Sequence, residues 1–129
     1  MENTENTEKT MLTDADPETM AREIVQILED QKARDVRLLA IRDKTVMADY
    51  FVICTGTSTT QIRGIAGALE YKLSERGLTP LHTEGYETGR WIVYDYAHVM
   101  VHIFGGEERE FFKLEKLWGD AEEVPVESL

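Results

Sequence analysis

The chain has 129 residues, of which 42 % are hydrophobic and 30 % charged, values typical of one globular domain. Its formal net charge is −11, but residues 1–18 and 119–129 hold ten carboxylates and one lysine, so the body of the chain is nearly neutral. No basic run favours direct nucleic-acid binding, no apolar run approaches the ~20 residues of a membrane-spanning helix, and the polar start lacks a secretory signal, so we expect a cytoplasmic protein.

The first part of the chain predicts one helix and two strands. Asp16 is a favourable N-cap residue and Pro17 suits the first helical position, so a helix should begin there. Apolar residues recur at helical spacing up to about Lys32. Residues 36–42 are predicted to form a strand. The nearly continuous apolar run over residues 49–55 indicates a central strand covered on both faces.

A second helix is predicted after Ser58. Ser58 and Gln61 have the spacing of a capping box, in which the hydroxyl bonds a free amide of the first turn and the Gln side chain reaches back to the amide of the cap residue. Gly77 should end the helix in a left-handed conformation, and residues 78–81 are expected to add a short strand. The buried stripe of this helix should consist of Ile62, Ile65, Ala66, Leu69 and Leu73.

The last part of the chain predicts a hairpin and a third helix. Residues 82–89 are expected to be a loop, residues 90–95 and 98–104 two strands, and residues 107–118 a helix with acids in its first turn. The order is then α-β-β-α-β-β-β-α, with no internal repeat and no linker. This order predicts the α/β fold class, as a single domain with a mixed β-sheet and flanking helices.

The expected domain boundaries follow from these elements. Residues 1–13 should be a disordered acidic arm, residues 14–121 the folded domain and residues 122–129 an acidic tail. Segments rich in carboxylates and poor in apolar residues bury too little surface to fold by themselves.

The hairpin separates a predicted core from a predicted surface. A two-residue turn at Tyr96-Ala97 would place Asp95 opposite His98, and directly opposed residues share a face. One face would then hold Ile92, Tyr94, Val99, Val101 and Ile103, and the other Trp91, Val93, Asp95, His98, Met100 and His102. The polar groups of the second face suit a surface that meets another protein, or simply an amphipathic hairpin open to solvent. A slip of one residue would reverse the faces.

The third helix has a similar division. Phe111, Leu114 and Trp118 should pack inward, whereas Arg109, Phe112, Lys113 and Lys116 fall on the opposite side. A basic stripe is usually a solvated face. An aromatic residue between cations is also typical of an interface anchor, so both interpretations of Phe112 stay open.

Residues with catalytic or ligand-binding potential are few. The loop over residues 55–58 joins a strand to a helix N-terminus, but the glycine-rich phosphate-binding motifs are missing, and Asp95 has no second acid two residues away. His98 and His102 would lie about 13 Å apart along one strand, too far to share a zinc ion. Cys54 in an apolar strand is expected to be a small core residue.

Several segments together resemble the Iojap/RsfS family of ribosome-silencing factors. The first signature of that family is similar to residues 49–58 followed by Gln61, Ile65 and Ala66. The other signature is similar to Glu84-Gly85, Trp91-Ile92-Val93, Asp95-Tyr96, Val101-His102-Ile103, Arg109 and residues 114–118. The resemblance covers residues 17–121, and the joint order and spacing of the motifs make it specific.

The resemblance implies a fold and a partner. The fold would be similar to that of nucleotidyltransferases without their catalytic site, and the protein would be no enzyme and need no cofactor or metal. The partner would be large-subunit ribosomal protein fourteen on the 50S subunit. A domain bound there would block joining of the subunits and lower translation when nutrients are short. The free protein would be a possible homodimer.

The resemblance also implies a partner-binding site, because the characteristic Trp of the family matches Trp91. With the face argument above, the expected partner-binding residues are Trp91, Asp95, Met100, His102, Phe112 and Lys116. Two other classes of function remain as alternatives. One is a metal-dependent nucleotidyltransferase-like enzyme built on residues 56–58 and Asp95, and the other is a generic oligomeric adaptor that uses the same hairpin face.

Overall fold

Three helices and six strands are present in the computed structural model, which describes residues 11–43, 48–112 and 122–125. In chain order they are α1 (Pro17–Asp30), β1 (Arg34–Ala40), β2 (Tyr50–Gly56), α2 (Thr59–Glu75), β3 (His82–Glu84), β4 (Trp91–Asp95), β5 (Val99–Gly105), α3 (Gly106–Phe112) and β6 (Glu122–Val124). None of the helices in these ranges is long and apolar enough to cross a membrane.

The ends of the two long helices follow their sequence signals. The side chain of Asp16 accepts a hydrogen bond from the amide of Thr19 (2.8 Å) and caps α1. Ser58 caps α2 by accepting from the amide of Gln61 (3.0 Å). The Gln61 side chain bonds the amide and hydroxyl of Thr57, where the capping box predicted the amide of Ser58. Gly77, at φ +88°, ends α2 as predicted.

The strands form one mixed sheet in the order β3-β4-β5-β2-β1-β6. The central strands β2 and β5 run parallel, with Tyr50 beside Val99 and Gly56 beside Gly105. All the other neighbouring strands are antiparallel. A single domain with a mixed sheet and flanking helices is therefore confirmed as the fold class.

The two faces of the sheet belong to two clusters of buried side chains. Helices α1 and α2 cover one face and share with it the larger cluster, which includes Val52, Val101 and Ile103. The opposite face carries a smaller cluster made of Leu39, Ile41, Ala48, Phe51, Ile53 and Phe104, with Trp91 and Met100 packed against its edge. Residues of β2 are buried on both faces, as the apolar run over this strand predicted.

Three segments differ from the sequence-based expectations. Residues 78–81 form no strand, and β3 instead lies at the start of the predicted loop. Part of the expected acidic tail forms β6, which pairs with β1 at the far edge of the sheet. Leu12, expected in the disordered arm, is buried, and its amide donates a hydrogen bond to the carbonyl of Arg76 (2.8 Å).

Candidate functional site

The β4–β5 hairpin has a longer loop than expected. Asp95 lies opposite Met100, and the loop spans residues 96–98, with the amide of Tyr96 donating to the carbonyl of Val99 (2.9 Å). Ala97 adopts a left-handed φ of +72°, and Asp95 stabilises the loop by accepting from the Ala97 amide (2.8 Å). The predicted two-residue turn is therefore wrong. The register differs by two residues, so the two faces keep their predicted members on the strands.

His98 is the exception among those members. It belongs to the loop and not to the strand face, and its Nδ1 lies 2.9 Å from the carboxylate of Asp49. His98 and His102 are therefore not ligands on one strand face.

We call the face of the sheet that carries Trp91 the Trp91 face. On strands β3 to β5 it consists of His82, Glu84, Trp91, Val93, Asp95, Met100, His102 and Phe104, because directly opposed residues of neighbouring strands share a face. Burial changes across it: Phe104 and His102 are buried, Trp91 and Met100 are partly buried, and the β3 side chains are exposed. The accessible part of this face is therefore the part formed by β3, β4 and Met100.

His102 is buried, which corrects its expected place at the surface. Only 5 % of the residue is exposed, and Phe51 (ring centroids 4.7 Å apart) and Phe104 (6.1 Å) lie beside its ring. Its Nδ1 accepts a hydrogen bond from the indole Nε1–H of Trp91 (3.2 Å), so the proton of the neutral imidazole is on Nε2. Burial lowers the pKa of His102 from 6.5 to about 4 because the charged form is desolvated.

This low pKa predicts a pH dependence of stability. The unfolded chain binds a proton at His102 below about pH 6.5, whereas the folded protein excludes it down to about pH 4. The free energy of unfolding should therefore fall as the pH is lowered through this window, by roughly 3 kcal/mol from this group. Urea denaturation at pH 7 and pH 4.5 should show a smaller fall in His102→Leu than in the parent. Equal falls would contradict the assignment.

Trp91 lies at the boundary between the buried and accessible parts of the Trp91 face. Its ring stacks on Phe104 with centroids 4.8 Å apart and an interplanar angle of 26°. Its N–H points inward to His102, and the residue keeps part of its surface exposed. Met100 is partly buried against the same cluster. A partner would thus meet an apolar indole surface whose polar atom is already bonded inside the protein.

The other expected site residues are Asp95, Phe112 and Lys116. Asp95 is partly buried, and one of its carboxylate oxygens is used by the hairpin loop. Phe112 is the last residue of α3, and its side chain lies outside the described part of the protein, as does the whole of Lys116. The structure therefore brings together Trp91, Asp95, Met100 and His102 on one sheet face.

Arg109 is buried and not part of an outward basic stripe. Only 7 % of it is exposed, and its guanidinium donates to the carbonyl of Asp35 (2.7 Å) and to the hydroxyl of Thr55 (2.8 Å). It also lies 3.3 Å from the Asp35 carboxylate. Asp35 has a left-handed φ of +51° and sits where the β1–β2 register is irregular. Arg109 therefore anchors α3 to the sheet through a β-bulge.

Sequence reasoning missed three residues of the Trp91 face: Phe104, near the end of β5, and two residues of β3. His82 and Glu84 enter it through β3, which pairs His82 with Asp95 and Glu84 with Val93. Their side chains lie 2.8 Å apart and are mostly exposed. The sequence signal for this strand is weak: His82 and Glu84 lie on either side of Thr83 and so share one face. A polar strand of three residues is too short for this alternation to predict it.

A concave region lies at the carboxyl ends of the parallel strands. A cavity of about 360 Å³ is lined by Thr57, Ser58, Thr59, Ile62, Gly89, Arg90, Gly105, Gly106, Glu107 and Glu108. Asp95 is not among these residues. In the sheet it is level with Phe51, two strands away from β2, and Phe51 itself lies roughly 16 Å from Gly56 at ~3.3 Å per residue. Within the described ranges, no three His, Cys, Asp or Glu side chains are grouped to hold a metal ion.

Cys54 is a core residue, as predicted. It is fully buried, and burial raises the pKa of its thiol to about 12, because desolvation penalises the thiolate. The group therefore stays protonated and unreactive at neutral pH.

The fold and the Trp91 face define a small α/β domain that presents a partly open aromatic sheet face. The family described as ribosomal silencing factor during starvation matches residues 14–129, and the chain belongs to this family. A ribosomal silencing factor RsfS from Halalkalibacterium halodurans is 40 % identical over 105 residues, covering 81 % of this chain and 90 % of that protein. Another from Bacillus subtilis is 39 % identical, covering 72 % and 79 %.

A solved structure agrees with the fold. A crystal structure of a protein from Bacillus halodurans has a TM-score of 0.75 and 34 % identity, covering 84 % of this chain and 99 % of that one. The resemblance to the Iojap/RsfS family and the predicted α/β fold class are therefore confirmed.

Proposed function

We propose that this protein binds large-subunit ribosomal protein fourteen on the 50S subunit through the Trp91 face, and so prevents the two subunits from joining. Membership of the silencing-factor family supports a role in regulating translation. The observation that carries the choice of surface is the partly exposed indole of Trp91, held on Phe104 at the edge of a buried cluster. Rigid aromatic side chains beside apolar neighbours are typical of interface hot spots.

The charges around the Trp91 face favour a basic partner. Glu84 and Asp95 flank the apolar centre formed by Trp91, Val93 and Met100, and the whole chain carries a net charge of −11. Carboxylates at the rim of an apolar patch steer a cationic surface toward it and raise the association rate. A ribosomal protein suits this charge, because proteins that bind RNA phosphates are rich in Lys and Arg.

The proposed mechanism is steric. A folded domain of this length has a radius of gyration of about 13 Å, so a bound copy projects roughly 30 Å from its partner. Two subunits cannot close over an obstacle of that size. Repression under nutrient limitation would then require only that the protein be present and bound, with no chemical step.

We also propose that the protein is cytoplasmic, has no catalytic activity and can form a homodimer when free. Against the nucleotidyltransferase-like alternative, Asp95 lies far from residues 56–58, and Glu107 and Glu108 line the cavity where a phosphate would have to sit. The negative charge of these two carboxylates repels an anionic ligand.

Calorimetry should detect no nucleotide binding. With ATP, GTP or CTP and magnesium we expect no affinity tighter than about millimolar, or ~4 kcal/mol. The amide of Thr57 is already bonded to Gln61, and among the described residues Arg90 is the single cation that lines the cavity. Micromolar binding of any of the three would favour the enzyme alternative.

Two measurements test the proposed function together. The protein is titrated into isolated ribosomal protein fourteen, and its effect on the joining of purified 30S and 50S subunits is followed by light scattering. The control variant, matched to Trp91→Ala, is Tyr71→Ala. It removes an exposed aromatic side chain of α2, the helix that covers the other face of the sheet. We expect binding and inhibition by both the parent and the control. Binding without inhibition would leave the adaptor alternative, and no binding would exclude the proposed partner.

A further inference from the structure

His102 is a polar residue in a place where an apolar one would pack more favourably. It is buried among aromatic rings, and among the described residues its Nε2 has no hydrogen-bond partner. An imidazole buried with half of its hydrogen-bonding capacity unused costs free energy of folding. A residue that breaks a packing rule in this way often serves function.

The polar contact that the structure gives His102 leads to Trp91. Nδ1 of His102 accepts from the indole Nε1 at 3.2 Å. The imidazole itself is held by Phe51 and Phe104, whose ring centroids lie 4.7 Å and 6.1 Å away. Trp91 and His102 belong to neighbouring antiparallel strands, and Phe104 is the direct partner of Trp91. The acceptor is thus fixed by the core, and the donor lies on the accessible side.

We infer that His102 is a positioning residue for the partner surface: it holds the Trp91 indole in one orientation, stacked on Phe104, before the partner arrives. This inference rests on the proposed function of the Trp91 face. The stack alone would also accept the indole turned over about its Cβ–Cγ bond, and the hydrogen bond selects the orientation with Nε1 toward His102. A side chain ordered before binding loses less conformational entropy on docking, and the gain for one large side chain is up to about tenfold in affinity.

Two substitutions of His102 distinguish the effect of losing the hydrogen-bond acceptor from the effect of losing the imidazole ring. His102→Leu removes the acceptor and keeps an apolar side chain of similar volume, whereas His102→Asn can place a carbonyl oxygen near the position of Nδ1. We expect His102→Leu to melt at or above the parent temperature at pH 7, yet to bind ribosomal protein fourteen about tenfold more weakly. His102→Asn should bind within about threefold of the parent. The opposite order of the two affinities would overturn the inference.

A spectroscopic readout distinguishes positioning from simple packing. The chain has two tryptophans, so a ¹⁵N–¹H spectrum has two indole signals, and Trp91→Phe identifies the one from Trp91. In His102→Leu this signal should lose its downfield shift and its protection from exchange with water, and in His102→Asn it should keep both. An unchanged Trp91 signal in His102→Leu would overturn the inference, because no hydrogen bond to His102 would then exist in solution.

A double-mutant cycle completes the test. Trp91→Phe removes the donor and keeps an aromatic ring, so it should weaken binding about as much as His102→Leu, and the double variant should bind no worse than either. Additive losses would overturn the inference. Trp91→Ala in the same series tests the proposed function separately. If it binds as the parent does, the partner uses another surface, whereas weak binding by Trp91→Ala with parental binding by His102→Leu overturns the positioning role alone.

Discussion

Replacing Val101 with Asp is expected to unfold the protein. Val101 has no exposed surface and lies in β5 between Val52 of β2 and Tyr94 of β4, in the cluster covered by α1 and α2. A carboxylate there leaves water without gaining a partner, which costs roughly 5 kcal/mol or more. That cost is comparable with the whole free energy of unfolding of a small domain, about 5–15 kcal/mol.

Val93→Asp is the matched control for this change. Val93 lies in the same hairpin on the Trp91 face, is partly exposed, and has the exposed Glu84 as its neighbour in β3. An added carboxylate there can stay hydrated, so this variant should lose only about 1–2 kcal/mol. Thermal melts followed by circular dichroism compare the two. Equal melting temperatures would contradict the assignment of the two faces, and a lower one for Val93→Asp would show that the core face and the accessible face have been exchanged.

The faces of the hairpin could be predicted from sequence because they depend on a period of two. The loop is longer than expected, since Asp95 caps the Ala97 amide and Ala97 takes a left-handed conformation that few non-glycine residues adopt. Nothing in the local sequence indicates this turn. The strands are therefore paired two residues away from the predicted register. Every cross-strand pair differs from the prediction, but a shift of two residues leaves each strand side chain on its predicted face.

Burial of polar residues could not be predicted in the same way. His102 is buried because Phe51, Trp91 and Phe104 come together from three strands, and Arg109 because Asp35, 74 residues earlier, supplies its acceptors. Local alternation identifies which way such a side chain points, but burial depends on partners that are distant in the chain. His102 therefore stays part of the candidate site, in a supporting position behind Trp91.

The short edge strands were missed for a different reason. β3 and β6 have three residues each. Both strands are mostly polar or acidic, and nearly all of their side chains are exposed. They are held by backbone pairing to β4 and β1 and contribute little to the core. Charged, short edge strands also discourage pairing with other chains, which is a common property of natural sheets. Hydrophobic periodicity carries no information about such elements.

Trp91→Ala is expected to abolish most of the binding to ribosomal protein fourteen. Truncation of a central aromatic residue costs roughly 2 kcal/mol or more at an interface hot spot, which is about thirtyfold in affinity. The indole of Trp91 provides the partly exposed aromatic surface of the Trp91 face, where the buried part meets the accessible part. The loss should appear mainly as faster dissociation, because the acidic rim that steers association is unchanged.

The same substitution also affects the fold, and the two effects must be separated. Removing the indole leaves Nδ1 of His102 without its donor and takes the stacked ring away from Phe104, so stability should fall by roughly 2 kcal/mol. This loss of stability is larger than the loss expected if Trp91 lay on a hairpin face fully open to solvent. It is smaller than the loss expected for Val101→Asp. Titrations at about 15 °C, near the temperature at which small domains are most stable, with the folded fraction measured by circular dichroism in the same buffer, isolate the binding term. A folded Trp91→Ala that binds as tightly as the parent would exclude the Trp91 face as the partner surface, because among the described residues no other side chain on its accessible part offers a comparable apolar contact.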